Sequence, residues 1–310
     1  MTDAEYNKLL NSWGVEFAGI DPCCAIGGSP ERTASRSVVV DAEGDRWVLE
    51  EIDEGNLVRK RQVADHLQVL RDAGLDRIHP YRRTTENSFF AVTDHCHWML
   101  RPFVEGIPLD RKTYLNELWR VDAMADFLVQ LRAHAGSFSG PAFSIVSYAE
   151  NRMVAWRKRY SKLAEKLETS FCTLQKNFFP VHDRLPVAFC HGDYHPLNMV
   201  WGEGGIRSVI DWEFCGLKPE LYDVALLLGC IGFDDPDHLL KEPAVRLVKN
   251  LRATGFGAAG SWETLLDLMA VIRYGWMSEW FRRSDREARK MEAIYIDILV
   301  DQKEYILKHW

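Results

Sequence analysis

Three polar side chains in one short stretch have types and a spacing that suit chemistry on phosphate. Asp193 and Asn198 lie five residues apart in a loop after a predicted strand, and Asp211 ends the next predicted strand pair. Phosphoryl transfer needs a carboxylate that orients an attacking hydroxyl and accepts its proton, and oxygen ligands for the magnesium that holds the phosphates. Asp193, Asn198 and Asp211 supply such a set.

Each of these residues alone also has an ordinary structural explanation. An Asp after a Gly is usually a turn former, and an Asn in a Pro-containing loop often closes an Asx-turn. The joint pattern is more demanding, because an Asp, four intervening residues and an Asn are followed by an Asp at a strand end. That order matches the catalytic loop and the metal-binding acid of protein kinases.

The surrounding segment resembles a known family. Residues 191–198 read His-Gly-Asp-Tyr-His-Pro-Leu-Asn, residues 209–213 read Val-Ile-Asp-Trp-Glu, and residues 219–225 read Pro-Glu-Leu-Tyr-Asp-Val-Ala. These motifs resemble those of the aminoglycoside phosphotransferase and choline kinase superfamily of small-molecule kinases. The resemblance implies an α+β, bilobal protein-kinase-like fold. Residues 1–105 would form a small, strand-rich nucleotide-binding lobe, and residues 106–310 a larger, helical lobe for catalysis and substrate binding.

The resemblance also implies roles for single residues. It makes Asp193 the catalytic base, and it makes Asn198 and Asp211 the ligands of Mg²⁺. His191 would hold the catalytic loop, and Asp223 would brace it from the following helix. The implied cofactors are ATP and Mg²⁺. The implied partner is a small molecule with a hydroxyl group, similar to an aminoglycoside, choline or homoserine.

Two further segments are candidates for nucleotide binding. Gly27, Gly28 and Ser29 form a glycine pair ahead of a predicted hairpin, which fits either a phosphate cradle or a simple turn. In the hinge that the resemblance implies, the Pro102 carbonyl would accept from the adenine amine and the Val104 N–H would donate to the ring. Proline suits this position because only its carbonyl is needed. The alternative is an ordinary edge strand.

One position departs from the family pattern. The family carries a lysine in the strand after the glycine hairpin, and here Glu50 takes that place. A carboxylate near triphosphate is repelled unless a cation neutralises it. We therefore expect Glu50 to pair with Arg59, Lys60 or Arg61 at the start of the next helix. A slipped alignment and a catalytically degenerate, nucleotide-binding or regulatory protein are the alternatives to this charge swap.

The acceptor site is predicted from aromatic and acidic side chains. Trp276 and Trp280 lie four residues apart on a predicted helix and so share a face, which could stack a sugar or enclose a quaternary ammonium group. Glu213 would add negative charge for a cationic acceptor. A buried aromatic stripe that packs the helical lobe is the alternative for the two tryptophans.

The predicted elements place these residues in two different settings. The first hundred residues read mostly as strands and turns, with one helix over residues 56–73. After residues 105–108, helices predominate, and a strand-rich island over residues 187–211 interrupts them. The predicted helices cover residues 113–135, 147–178, 220–231, 236–252, 261–282 and 286–308.

Composition narrows the class of protein. Of 310 residues, 47% are hydrophobic and 27% charged, which is typical of a globular protein. The net charge of −7 has the wrong sign for a partner that is nucleic acid. No apolar run approaches the ~20 residues that cross a bilayer. Seven cysteines without a C-x-x-C pair argue against zinc. The sequence predicts a cytoplasmic protein with no membrane partner, and its oligomeric state cannot be deduced.

Overall fold

A computed structural model describes residues 1–22, 35–93, 95–111, 113–233 and 235–310. The strands are β1 (Phe17–Ile20), β2 (Ser35–Asp41), β3 (Arg46–Ile52), β4 (Ala91–Thr93), β5 (Cys96–Pro102), β6 (Val187–Cys190), β7 (Met199–Gly202), β8 (Gly205–Val209) and β9 (Gly216–Pro219). The helices are α1 (Asp3–Leu10), α2 (Leu57–Asp72), α3 (Leu118–His134), α4 (Ile145–Arg159), α5 (Ser161–Asn177), α6 (Phe179–His182), α7 (Tyr222–Ile231), α8 (Glu242–Ala253), α9 (Ala259–Glu263), α10 (Leu265–Arg282), α11 (Arg286–Asp301) and α12 (Lys303–Leu307). Gly27, Gly28 and Ser29 lie outside the described residues.

Several predicted boundaries were wrong. The helix predicted over residues 147–178 is two helices, because Tyr160 adopts a non-helical backbone (φ −138°, ψ 54°) between α4 and α5. The helices predicted over residues 261–282 and 286–308 are likewise divided, into α9 and α10 and into α11 and α12. Strand β9 was missed altogether. It pairs with β6 in a two-stranded sheet that is separate from the sheet of β7 and β8.

The chain divides by packing into two units. The first contains residues 1–108 and 199–213, and the second contains residues 109–198 and 214–310. The hairpin of β7 and β8 thus belongs with the N-terminal residues, whereas the sequence interpretation put it in the C-terminal lobe. The lobe boundary after residue 105 stays a prediction.

The first unit is built on an antiparallel sheet in the order β1-β2-β3-β5-β4. Side chains alternate between the two faces of each strand. One face packs Val39, Leu49 and Leu100 against Leu9 and Leu10 of α1 in a buried apolar cluster. The other face carries the unusual charge at position 50, because Glu50 follows Leu49 in β3.

The second unit is mainly helical. Helix α7 is apolar around most of its circumference and almost fully buried, which is the pattern of a core helix. Helix α10 packs against α4, α7 and α11. Strands β6 and β9 form a two-stranded pair in this unit, and β6 leads directly into the loop that carries Asp193. In the part of the chain that is described, no helix has the length and apolarity needed to span a bilayer.

Candidate active site

The loop after β6 holds the carboxylate of Asp193 in a defined position. Asn198 Nδ2 donates to the Asp193 main-chain carbonyl at 2.9 Å and to its Oδ2 at 3.0 Å. His195 Nε2 lies 3.6 Å from the other carboxylate oxygen, Oδ1. The carboxylate itself is half-buried and the Asn198 side chain is buried. The structure therefore brings the predicted base and one predicted metal ligand together.

The surroundings of Asp193 favour its ionised form. Burial by itself raises the pKa of this carboxyl group. The contact with His195 and the hydrogen bond from Asn198 outweigh burial, so that the pKa of Asp193 is lowered from its ordinary value. An ionised carboxylate is the form that can orient a hydroxyl and accept its proton.

One carboxylate at the start of α7 fixes the backbone of this loop. Asp223 Oδ2 accepts from the His191 N–H at 2.6 Å, and its Oδ1 accepts from the Gly192 N–H at 2.8 Å. His191 Nδ1 in turn accepts from the Asp193 N–H at 3.1 Å. Burial raises the pKa of Asp223, while the hydrogen bonds from the two N–H donors act in the opposite direction. The bracing contacts expected of His191 and Asp223 are present.

Gly192 is required by its surroundings. Its φ of +85° lies in the left-handed region that favours glycine. A Cβ atom at this position would lie 2.2 Å from the Phe214 carbonyl oxygen, which is far inside van der Waals contact. The close approach of two backbone segments therefore sets the path of the loop that carries Asp193.

Asp211, the second predicted metal ligand, lies in the first unit, directly after β8 and Ile210. Its φ of +62° is unusual for a residue other than glycine, although Asp tolerates this region better than most. Such backbone conformations persist where the surrounding structure enforces them. Next to it, the Trp212 indole N–H donates to the Val209 carbonyl at 2.8 Å and fixes the turn.

Of the three cations predicted as partners of Glu50, Lys60 makes the contact. Lys60 Nζ lies 3.3 Å from Glu50 Oε2 and 2.5 Å from Glu213 Oε1. The Tyr81 hydroxyl donates to the same Glu50 oxygen at 2.8 Å. The predicted charge pairing is confirmed, with the cation on helix α2 and the carboxylate on strand β3.

The other two candidate cations have different contacts. Arg59 Nε donates to the Glu213 main-chain carbonyl at 2.8 Å, and the Arg61 guanidinium lies 5.6 Å from the centre of the Phe90 ring. Glu213, predicted to contact the acceptor, is thus held through its carboxylate by Lys60 and through its backbone by Arg59. Its role toward an acceptor stays a prediction.

Sequence reasoning missed two arginines at Glu50. Arg36 Nε on β2 lies 2.9 Å from Glu50 Oε1, and Arg101 Nε on β5 lies 3.6 Å from the same oxygen. Burial opposes ionisation of Glu50, but Lys60, Arg101 and Arg36 together lower the pKa of Glu50 to about 2. The signal that could have found Arg36 is the register of β2 against β3, which places it directly opposite Glu50. The sequence alone does not give this register.

The hinge candidates lie at the end of the sheet. Pro102 is the last residue of β5 and lies opposite Trp47 of β3, and Val104 follows two residues later. Between them, the Phe103 N–H donates to the Arg46 carbonyl at 2.9 Å. The adenine contacts of Pro102 and Val104 stay predictions.

The two tryptophans predicted at the acceptor site share a face of α10. Their ring centres are 5.8 Å apart, and the Trp276 ring lies 6.1 Å from the His195 ring. Trp280 Nε1 donates to Glu292 Oε2 at 2.7 Å, which fixes this ring from α11. Both tryptophans are half-buried. Their role toward an acceptor stays a prediction, and packing of the helical lobe stays the alternative.

The donor atoms of the proposed metal ligands suit magnesium. Mg²⁺ takes hard oxygen ligands and usually binds one or two carboxylates plus substrate phosphates. Asn198 directs its Nδ2 at Asp193, so its amide oxygen is the atom that could serve a metal. Within the described ranges, no group of three or more His, Cys, Asp or Glu side chains could hold a metal ion.

Comparison with known proteins assigns the family. Residues 30–252, which make up more than two thirds of the chain, match the model of the phosphotransferase enzyme family, APH. The chain belongs to this family. No curated protein matches the sequence significantly.

Solved structures of APH family members and related kinases share the fold. An aminoglycoside phosphotransferase from Alicyclobacillus acidocaldarius superposes with a TM-score of 0.67 at 13% identity, over 98% of this chain and 96% of that one. A choline/ethanolamine kinase family protein from Mesorhizobium loti gives 0.62 at 13% identity, over 99% and 98%. An amicoumacin kinase solved with AMP-PNP and Ca²⁺ gives 0.59 at 12% identity, over 92% and 90%. The predicted α+β protein-kinase-like fold is confirmed.

Proposed function

We propose that this APH family member transfers the γ-phosphate of ATP to a hydroxyl group of a small molecule. The observation that carries the proposal is the geometry around Asp193, whose half-buried carboxylate accepts from Asn198 at 3.0 Å and lies 3.6 Å from His195. Asp223 fixes the loop behind it through two N–H groups. A loop built in this way orients one carboxylate toward a substrate hydroxyl.

The division of labour follows from the chemistry of the transfer. Asp193 orients the acceptor hydroxyl and takes its proton as the bond to phosphorus forms. Asn198 and Asp211 would hold Mg²⁺, which supplies positive charge to the phosphate oxygens when it is bound. Positioning and charge neutralisation account for most of catalysis in this class of reaction.

The acceptor that suits this chain is a hydroxylated amine or sugar. Trp276 is linked to the base through His195, since the two rings are 6.1 Å apart and His195 lies 3.6 Å from Asp193. Aromatic faces stack on sugar rings and attract ammonium groups. The candidate acceptors are therefore aminoglycoside-like, choline-like or homoserine-like molecules.

A second function is favoured by one observation. Glu50 is fully buried at the strand position where the family carries a lysine. A chain that had lost the usual phosphate cation could bind nucleotide for a regulatory purpose without transferring phosphate. Magnesium-dependent thermal stabilisation by ATP, without ATP consumption on any acceptor, would support this second function.

The test is an ATP-consumption screen against hydroxylated amines, amino acids and sugars. Once an acceptor is found, we expect Asp193→Asn to abolish transfer, because a carboxamide cannot accept the proton. ATP binding should be retained. Asp183→Asn is the matched control, since the Asp183 side chain is exposed. Near-normal turnover by Asp193→Asn would contradict the proposed mechanism.

A further inference from the structure

Three charged side chains lie side by side on one face of the first unit's sheet. Arg36 of β2 is directly opposite Glu50 of β3. Arg101 of β5 is opposite Val48, which lies two residues before Glu50 and so points to the same face of the sheet. The three therefore share the face turned away from the apolar cluster that packs on α1. Both arginines pair through Nε with the same carboxylate oxygen of Glu50.

Among the described residues, the ion pairs centred on Glu50 carry more positive than negative charge. They join three cations, Arg36, Lys60 and Arg101, to two carboxylates, Glu50 and Glu213. Two guanidinium groups that share one oxygen repel each other, and a further anion beside them would relieve that repulsion. The surplus charge therefore marks this face of the sheet as a site for an anionic ligand.

Lys60 is unsuited to hold that ligand. Its side chain is 1% exposed, and its ammonium group already lies within 3.4 Å of Glu50, Tyr81 and Glu213. The Arg36 and Arg101 side chains are 16% and 17% exposed. A guanidinium group has five N–H donors, so a contact at Nε leaves the donors of both Nη atoms for other partners.

We infer that Arg36 and Arg101 bind the phosphates of the nucleotide and replace the lysine that strand β3 lacks. This inference rests on the proposed function, because it takes the anion to be a nucleoside triphosphate. The planar guanidinium fork matches two phosphate oxygens at once. Glu50 acts as a positioning residue that holds both arginines, and Lys60 neutralises its other oxygen.

Calorimetric titration of the full chain with ATP and, separately, with adenosine tests the inference. Arg36→Gln and Arg101→Gln should each raise the Kd for ATP by about tenfold or more, since each removes a charge-assisted contact. The Kd for adenosine should not change. Arg82→Gln is the matched control, because the Arg82 guanidinium lies over the Trp47 ring, away from Glu50.

Two more variants guard against a folding defect. Arg36→Gln combined with Glu50→Gln removes one charge of each sign, so the net charge of the ion-pair cluster is unchanged. This double variant should still weaken ATP binding. Arg36→Lys keeps the charge but loses the fork, and should give an intermediate Kd.

The outcomes separate this inference from the proposed function. If the Arg36→Gln variant and the Arg101→Gln variant both fold and both keep the ATP affinity of the wild type, the inference is overturned and the proposed function is left intact. An equal loss of adenosine and ATP binding would also overturn it, because the arginines would then act on the fold. Failure of the folded wild-type protein to bind ATP at all would overturn both.

Discussion

Lys60 on α2 pairs with Glu50 on β3 at 3.3 Å, and each side chain is 1% exposed. The resemblance places a lysine at the strand position of Glu50, and the predicted charge swap reverses the polarity of that pair. A buried ion pair adds little net stability compared with apolar packing, but removing one partner leaves a buried charge uncompensated. The reversal is tolerated because Arg36, Arg101 and Glu213 have the signs that the reversed pair needs.

Lys60→Met should destabilise the first unit strongly. It leaves Glu50 and Glu213 without the cation between them, and breaking a buried pair in this way costs about 3–5 kcal/mol. Urea unfolding at neutral pH measures the effect. The control is Arg61→Gln one residue along the helix, an exposed site where the change should be within about 0.5 kcal/mol. Similar losses in the two variants would show that Lys60 is not part of a stabilising cluster.

Exchanging the two charges should not restore stability. Glu50→Lys combined with Lys60→Glu would put a new cation beside Arg36 and Arg101, and a new carboxylate beside Glu213. Like charges at these distances repel. We expect the double variant to be about as unstable as Glu50→Lys alone or Lys60→Glu alone in the same urea experiment. Recovery to wild-type stability would mean that the Glu50–Lys60 pair is independent of its neighbours.

Acid should weaken the cluster in a pH range set by Glu50. Its pKa is about 2 in the folded chain and ordinarily 4.5, so its contribution is complete above about pH 4.5 and is lost as the pH falls toward 2. The shift corresponds to roughly 3 kcal/mol. The free-energy difference between wild type and Glu50→Gln, measured by urea unfolding from pH 6 to pH 3, should shrink as pH falls. A difference that stays constant would show that Glu50 is not held as an anion.

Gly192→Ala should damage the catalytic loop beyond the cost of its backbone angle. Gly204 has a similar φ, +99° against +85°, but a Cβ there would meet nothing within 4 Å. Gly204→Ala therefore pays only the cost of the left-handed conformation. At Gly192 the added methyl also overlaps the Phe214 carbonyl, which should cost about 2 kcal/mol more. Equal unfolding free energies for the two variants would show that the loop can shift without penalty.

Asn198→Ala should weaken ATP binding only when magnesium is present. The change removes a proposed metal ligand and the donor that holds the Asp193 carboxylate. We expect the Kd for ATP with Mg²⁺ to rise about tenfold and the Kd without metal to stay the same. Asn250→Ala, whose side chain binds Asp122, is the control. The same metal dependence in wild type and Asn198→Ala would place the metal elsewhere.

The catalytic loop was accessible to sequence reasoning because its contacts are local. Asp193 and Asn198 are five residues apart, and their hydrogen bonds close a single turn of chain. Lys60 could be anticipated as one of three candidates for a related reason, since a carboxylate near triphosphate requires a neutralising cation and helix α2 begins soon after β3. The need for a positive charge and the short sequence separation together limited the candidate partners of Glu50 to Arg59, Lys60 and Arg61.

Arg36 and Arg101 could not be anticipated in the same way. Their approach to Glu50 depends on the register of β2 and β5 against β3, which turns and packing set. The break at Tyr160 was hidden as well, because residues 147–178 contain no Pro or Gly. There the Tyr160 ring packs on Phe281 at 4.4 Å, and tertiary contact overrides a continuous helical pattern.

The hydrogen bonds from His191 and Gly192 to Asp223 make two backbone amides into reporters of the catalytic loop. Both N–H groups are buried and point at one carboxylate, so their protons can exchange with deuterium only when the loop separates from α7. Their exchange rates measure how often that separation occurs. Slowing of exchange at these two amides would reveal a compound that binds the closed loop, before any phosphorylated product is known.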